Sequence, residues 1–128
     1  MEIQVGAHGE ASALVSREMS AKEVGSGSLL VLGTPWMVAV MERAACNCLG
    51  PFLEEGKSTV GAMLQITHDK PTPVGMEIHA EAEVTAVEGR KITISLKAFD
   101  EKGQIGAGTH VRVLIDDERF LQKAYDKL

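Results

Sequence analysis

An acidic side chain and a histidine interrupt stretches of this sequence that are otherwise apolar, and both are residue types that transfer protons. Glu42 lies within the apolar run from Thr34 to Leu49, and His68 ends a run in which every second residue is apolar. A carboxylate withdrawn from water is a stronger base and can also act as a nucleophile. A nearby imidazole could orient it or carry its proton. These residue types suit the hydrolysis of an activated acyl group.

A hydroxyl group also stands at a position that favours developing negative charge. Thr34 is followed by Pro35 and begins the apolar run, which predicts a helix N-terminus with free backbone amides. Such donors can stabilise an oxyanion by roughly 3 kcal/mol each. Simpler interpretations remain open: Thr34 as an N-cap, His68 turned to solvent at a strand end, and Glu42 in an ion pair with Arg43 or Arg112.

The helix that must position Glu42 is predicted to run from Thr34 to about Leu49. Gly50 and Pro51 end it, because proline cannot continue a helix. Arg43 and Asn47 share a narrow polar stripe, and the rest of the circumference is almost entirely apolar apart from Glu42. A helix that is apolar nearly all round is buried. We therefore expect Glu42 to project from the buried side of a central helix.

The remaining pattern has the period of two that indicates β-strands. A first strand is predicted within 8–16, and four more follow at 58–70, 76–87, 91–98 and 105–115. In the second, third and fourth strands the even-numbered residues are predicted to form the apolar face, and in the fifth strand the odd-numbered residues. His68 is thereby predicted to lie on the core face of the second strand. Hairpin turns are predicted at 88–90 and 100–103, each with a glycine, and a short amphipathic helix over 117–127.

This order of elements predicts an α+β fold. Short connections make strands two to five antiparallel neighbours, and the long helix is the only element able to cover their apolar face. The economical solution is the hotdog arrangement, a five-stranded antiparallel sheet wrapped around one long central helix. Because one helix covers such a sheet poorly and its edges stay open, we expect at least a dimer.

Composition excludes several classes of protein. A length of 128 residues fits one domain, 1–128, and a formal net charge of −5 leaves no basic excess for nucleic acid. No apolar run is long enough to span a membrane, and the start lacks the features of a signal peptide. Cys46 and Cys48 are expected to be inert core residues, too few for a disulfide framework or a metal site. A cytoplasmic location fits best.

Four stretches resemble the fluoroacetyl-CoA thioesterase-like family of hotdog proteins. They are Gly33-Thr-Pro-Trp-Met-Val-Ala-Val-Met-Glu-Arg-Ala-Ala-Cys46, Thr59-Val-Gly-Ala-Met-Leu-Gln-Ile-Thr-His68, Pro71-Thr-Pro-Val-Gly75 and Gly108-Thr-His-Val-Arg112. The resemblance implies a homodimeric acyl-CoA thioesterase without metal or cofactor, its site near the subunit interface. It implies a catalytic set of Thr34, Glu42 and His68. It also implies that Gly61 lies near the thioester and that Arg112 serves CoA or the polar network of the site.

The sequence departs from the fluoroacetyl-specific type just before the helix. That type has a phenylalanine-rich segment, whereas residues 25–32 here contain no aromatic residue. A thioesterase for short or medium acyl groups is therefore the broader expectation. Strict alternation puts Gly61 on the opposite strand face from His68, so Gly61 would act through its backbone. The same alternation puts Arg112 on the opposite face from Val111 and Val113.

Two other functions fit the same residues. One is a hydratase or dehydratase acting on enoyl or hydroxyacyl thioesters, with His68 and Glu42 as its acid–base pair. The other is a module that binds acyl-CoA without catalysis.

Overall fold

The architecture is known from a computed structural model, which describes residues 2–128. Its long elements are β1 (His8–Leu14), α2 (Thr34–Leu49), β2 (Lys57–His68), β3 (Glu77–Glu88), β4 (Lys91–Asp100) and β5 (Gly103–Asp116). Between β1 and α2 lie a 3₁₀ turn (Arg17–Met19) and the short helix α1 (Ala21–Val24). A second 3₁₀ turn (Gly50–Phe52) follows α2, and α3 (Asp117–Tyr125) closes the described chain. The predicted bounds of the long helix and the predicted hotdog fold are both confirmed.

All five strands are antiparallel, in the order β1-β3-β4-β5-β2. The expectation that β2 and β3 are neighbours is wrong, because β2 pairs with β5 and forms an edge of the sheet. Residues 69–76 connect β2 to β3 and contain Pro71 and Pro73, so they cross over the fold instead of forming a hairpin. The predicted hairpins β3–β4 and β4–β5 are confirmed, and their turn glycines, Gly89 and Gly103, have positive φ.

The core lies between α2 and the inner face of the sheet. From the sheet it contains the predicted apolar positions of β3 and β4: Ile78, Ala80, Ala82, Val84, Ile92, Ile94, Leu96 and Ala98. Each large aliphatic side chain buried here contributes roughly 1.5–3 kcal/mol. The helix passes very close to β1, since a Cβ at Gly9 would overlap the backbone of Ala44 and Cys48. This tight packing fixes where α2 lies and which of its residues can reach β2.

A β-bulge reverses the predicted face of β5. The register with β4 passes from Gln104↔Phe99 to Gly106↔Ala98, so Ile105 is the extra residue. The inner face therefore holds the even positions Gly106, Gly108, His110 and Arg112, opposite buried residues of β4. The prediction of an inward odd face is wrong from Ala107 onward, and two polar side chains reach the interior instead.

A second bulge corrects the faces of β2. Its register with β5 passes from Gly61↔Arg112 to Met63↔Val111, which leaves Ala62 as the extra residue. After the bulge Leu64 pairs with the buried His110, so Leu64, Ile66 and His68 point inward, as predicted. Gly61 pairs with the inward Arg112 and thus shares the inner face with His68. Its predicted place on the opposite face is wrong, because one inserted residue shifts a period of two.

The two cysteines differ in environment. Cys48 is buried, and burial raises the pKa of its thiol, whereas Cys46 is exposed, contrary to its expected place in the core. Among residues 2–128, no helix has both the length and the apolar character needed to cross a bilayer.

Candidate active site

Thr34 and His68 form a hydrogen-bonded pair at the N-terminus of α2. The Thr34 Oγ1 atom lies 2.7 Å from Nδ1 of His68, which ends β2. Gly33 occupies the N-cap position, and Thr34 is the first helical residue. The hydroxyl is therefore engaged with the imidazole, and the interpretation of Thr34 as the N-cap is wrong.

A cavity of about 300 Å³ opens beside this pair. Thr34 and His68 line it together with Ala21, Val31, Leu32 and Lys70 among others. Nε2 of His68 is buried and finds no hydrogen-bond partner within residues 2–128, so the ring is held through Nδ1. A hydroxyl, an imidazole and a helix N-terminus thus meet at one opening with a mixed aliphatic and polar lining, where a polarised carbonyl could be held.

Glu42 lies in a second polar cluster farther along α2. Its Oε2 atom accepts a hydrogen bond from Nη1 of Arg112 at 3.3 Å and lies 3.7 Å from Nε2 of His110. Of the two ion pairs considered from the sequence, the one with Arg112 forms, while Arg43 is exposed. The side chain of Glu42 is 37% exposed, less buried than expected, because α2 faces the edge strand there.

Arg112 is almost fully saturated with hydrogen bonds. Nε donates to Thr59 Oγ1 at 2.9 Å and Nη2 donates to the Thr59 carbonyl at 2.8 Å. Nη1 serves both Glu42 and Nε2 of His110, the latter at 3.1 Å. Since a guanidinium has five N–H groups, four are engaged. Arg112 does lie opposite Val111 and Val113, as predicted, but this face is the interior, where it is 6% exposed. Its geometry suits holding a carboxylate better than reaching a phosphate.

His110 is the residue that reasoning from sequence missed. It is fully buried, its Nδ1 lies 2.9 Å from the carbonyl oxygen of Met63, and its pKa is lowered mainly by burial. The apolar odd positions of β5 looked like the core face, which left His110 on the solvent side. A signal was present in the sequence: Gly106, Gly108, His110 and Arg112 follow one another at every second position, so the two glycines share a strand face with the two polar residues.

Gly61 completes the Glu42 cluster by leaving room for it. A Cβ at this position would lie 2.8 Å from Oε2 of Glu42 and 3.2 Å from Cε1 of His110. Only a residue without a side chain allows the carboxylate to sit against β2.

The predicted site residues therefore form two groups within one chain. Thr34 pairs with His68, and Glu42 pairs with Arg112 beside Gly61. Thr34 and Glu42 are separated by about two helical turns, roughly 12 Å along the axis. Glu42 and His68, expected to meet, are not in contact within the chain.

Comparison with known proteins identifies the class and then the family. A five-stranded antiparallel sheet with one long helix is the architecture shared with solved hotdog-fold thioesterases. A sequence profile described as "FlK: Fluoroacetyl-CoA-specific thioesterase" matches residues 15–118. The fluoroacetyl-CoA thioesterase of Streptantibioticus cattleyicolor is 37% identical over 97 residues, which cover 76% of this chain and 70% of that protein. The chain belongs to this family of thioesterases, which are enzymes that hydrolyse thioesters.

Solved structures agree with this assignment. A crystal structure of the fluoroacetyl-CoA thioesterase FlK superposes with a TM-score of 0.93 at 29% identity and covers 100% of this chain and 99% of that one. A mutant of FlK, solved in complex with fluoroacetate and CoA, superposes with a TM-score of 0.86 at 30% identity, covering 91% and 98% of the two chains.

Proposed function

We propose that this protein is an acyl-CoA thioesterase that cleaves its substrate to a free acid and CoA. The observation that carries the proposal is the hydrogen bond of Thr34 to His68 at the mouth of a cavity, on the helix that also bears Glu42. Hydrolysis of a thioester needs a donor for the carbonyl oxygen and a base or nucleophile for its carbon. These residues offer both functions.

We assign the roles as follows. Nδ1–H of His68 donates to Thr34 Oγ1, so the Thr34 hydroxyl hydrogen is free to bond to the carbonyl oxygen of the thioester. Glu42, held in place by its hydrogen bond from Arg112, attacks the carbonyl carbon or takes a proton from the attacking water. The carbon–sulfur bond then breaks, and CoA leaves as a thiolate that gains a proton from water. In the direct route the acyl group remains on Glu42 as a mixed anhydride, which a water molecule hydrolyses to the free acid and the regenerated carboxylate. Single turnover in ¹⁸O-labelled water tests direct attack, because label in the Glu42 carboxyl group requires the anhydride, whereas a water molecule activated by Glu42 delivers its oxygen to the acid product alone.

The acyl group is proposed to be short or of medium length, without selection for fluorine. The related FlK enzyme was solved with fluoroacetate and CoA, which supports a CoA thioester as the substrate class. The cavity at Thr34, however, has aliphatic residues on one part of its lining and polar residues on the rest, and residues 25–32 contain no aromatic side chain. The aliphatic residues are Ala21, Val31 and Leu32, and the polar ones include Ser26, Asp69 and Lys70. The aliphatic part of the lining can accommodate an alkyl chain, but gives no specific contact to a carbon–fluorine bond.

A homodimer is proposed to complete the site. Within residues 2–128 no strand pairs with the outer edge of β2, and Met63 and Leu64 are 41% and 37% exposed at its centre. Two β2 strands paired antiparallel about this centre would run their helices α2 in opposite directions. Thr34 and His68 would then approach Glu42 of the partner subunit, which bridges the separation of roughly 12 Å within one chain.

The test is a screen for thiol release from acetyl-, fluoroacetyl-, branched, aromatic and longer acyl-CoAs, with Glu42→Gln as the decisive variant. We expect turnover of several acyl-CoAs, and a kcat lowered at least ~100-fold in the variant, which keeps its fold. Arg43→Gln, on the exposed face of the same helix turn, is the matched control and should retain activity. Normal turnover by Glu42→Gln contradicts the proposal.

The same screen separates the two alternative functions. Hydration of crotonyl-CoA without thiol release would favour a hydratase, and tight binding of acyl-CoA without turnover would favour a binding module.

A further inference from the structure

His110 lies at the centre of the polar cluster around Glu42 without touching solvent. It stands on the inner face of β5, opposite Leu64 of β2 and Ile94 of β4, and its side chain is fully buried. Two charged groups face its ring: Arg112 from its own strand and Glu42 from α2. The hydrogen-bond partner of the ring on β2 is the carbonyl oxygen of Met63.

The hydrogen bonds determine which ring nitrogen carries the proton. A backbone carbonyl can only accept, so Nδ1 of His110 donates to Met63 O at 2.9 Å. A neutral ring then presents Nε2 as an acceptor, and Nη1 of Arg112 lies 3.1 Å from it. Burial and the neighbouring guanidinium both lower the pKa of His110, which agrees with a neutral ring. Nε2 of His110 and Oε2 of Glu42, 3.7 Å apart, are thus both acceptors and do not bond to each other. Nη1 of Arg112 donates to both of them.

This chain of bonds links the bulge in β2 to the carboxylate. Met63 comes directly after the extra residue of the bulge and anchors the ring of His110. The ring accepts one hydrogen of Arg112 Nη1, which leaves the other hydrogen of that nitrogen directed at Glu42. Nε and Nη2 hold one edge of the planar guanidinium on Thr59, and without an acceptor at Nε2 of His110 the whole plane could tilt about that edge and carry Nη1 away from Glu42.

We propose that His110 is a positioning residue, which fixes the rotation of the Arg112 guanidinium so that Nη1 donates to the Glu42 carboxylate. The inference rests on the proposed function of Glu42 and adds a residue to which neither the sequence nor the resemblance assigned a role. His110 does not touch the reacting atoms. It acts through Arg112, and its effect is expected on kcat more than on KM.

Two amide variants separate this role from simple packing. His110→Gln puts a carbonyl oxygen near the position of Nε2 and can still accept from Arg112. His110→Asn puts an amide nitrogen near the position of Nδ1 and can still donate to Met63 O. We expect kcat to stay within about threefold for Gln and to fall roughly tenfold or more for Asn, with KM for the acyl-CoA little changed in both. His110→Phe keeps the ring volume and replaces Asn in the comparison if that variant does not fold.

A second measurement does not depend on activity. In ¹⁵N NMR spectra the Nη1 hydrogen signals of Arg112 should be sharp and slow to exchange in the wild type and in His110→Gln, and broadened in His110→Asn, whereas the Nε–H bonded to Thr59 is the internal reference. Equal kcat for the Gln and Asn variants, or Arg112 Nη1 signals unchanged in the Asn variant, overturns the inference. If the wild type hydrolyses no acyl-CoA, the proposed function fails, and the NMR comparison still decides the role of His110.

Discussion

Gly61 faces the carboxylate of Glu42 so closely that a methyl group on its Cα would lie 2.8 Å from Oε2. The approach exists because the bulge at Ala62 turns Gly61 toward α2, onto the face that also carries His68. One backbone irregularity in an edge strand thus makes room for the Glu42 carboxylate beside Gly61, within reach of its donor Arg112.

Gly61→Ala should therefore impair catalysis by moving Glu42. The added Cβ requires the carboxylate to shift and weakens its bond to Arg112, and we expect kcat to fall about tenfold or more. Gly50→Ala is the matched control, since a Cβ there meets nothing within 4 Å. Steady-state thiol release and thermal unfolding of both variants check this. A Gly61→Ala enzyme with wild-type kcat would show that the position of Glu42 does not matter.

Arg112→Gln should reveal whether the guanidinium serves the carboxylate or the CoA phosphates. Its hydrogen bonds go to Thr59, His110 and Glu42, so we expect kcat to fall roughly tenfold to 100-fold while KM changes less than about threefold. Unfolding should also become easier by about 2 kcal/mol, because buried acceptors lose their donor. The opposite pattern, a raised KM with unchanged kcat, would make Arg112 a binding group for CoA.

Much of the fold follows from the sequence because apolar periodicity and helix-end signals act locally. The bounds of α2 and the inward faces of β3 and β4 were predicted correctly on that basis. Bulges leave no such signal in the sequence, yet one extra residue changes the face on which every later residue of the strand lies. The inward orientation of His110 and Gly61 was missed for this reason, and the exposure of Cys46 depends on which side of α2 the sheet leaves uncovered.

The stability of the protein should depend on pH through His110. Its pKa is lowered in the folded state from the ordinary value of 6.5, chiefly by burial, so the unfolded chain binds more protons at this site. The free energy of unfolding contributed by this group is complete above pH 6.5 and is lost as the pH falls below that value toward the folded pKa. Denaturant unfolding at a series of pH values checks this. Over that range His110→Gln should lose less stability than the wild type, and parallel curves would contradict a neutral buried ring.

The shared site is tested most directly by mixing two variants that we expect to be inactive when alone, Thr34→Ala and Glu42→Gln. Thr34→Ala lacks the proposed donor to the carbonyl oxygen and Glu42→Gln lacks the proposed base or nucleophile, and the two are combined by co-expression or by unfolding and refolding together. In a mixed dimer with sites built across the two-fold axis, one site carries both substitutions and the other carries neither. Random mixing should then restore about a quarter of the wild-type kcat for acyl-CoA hydrolysis. Each variant refolded alone is the control and should remain inactive. Activity that stays at the level of the separate variants, in samples where mixed dimers are demonstrated, would contradict a site formed by Thr34 and His68 of one protomer and Glu42 of its partner.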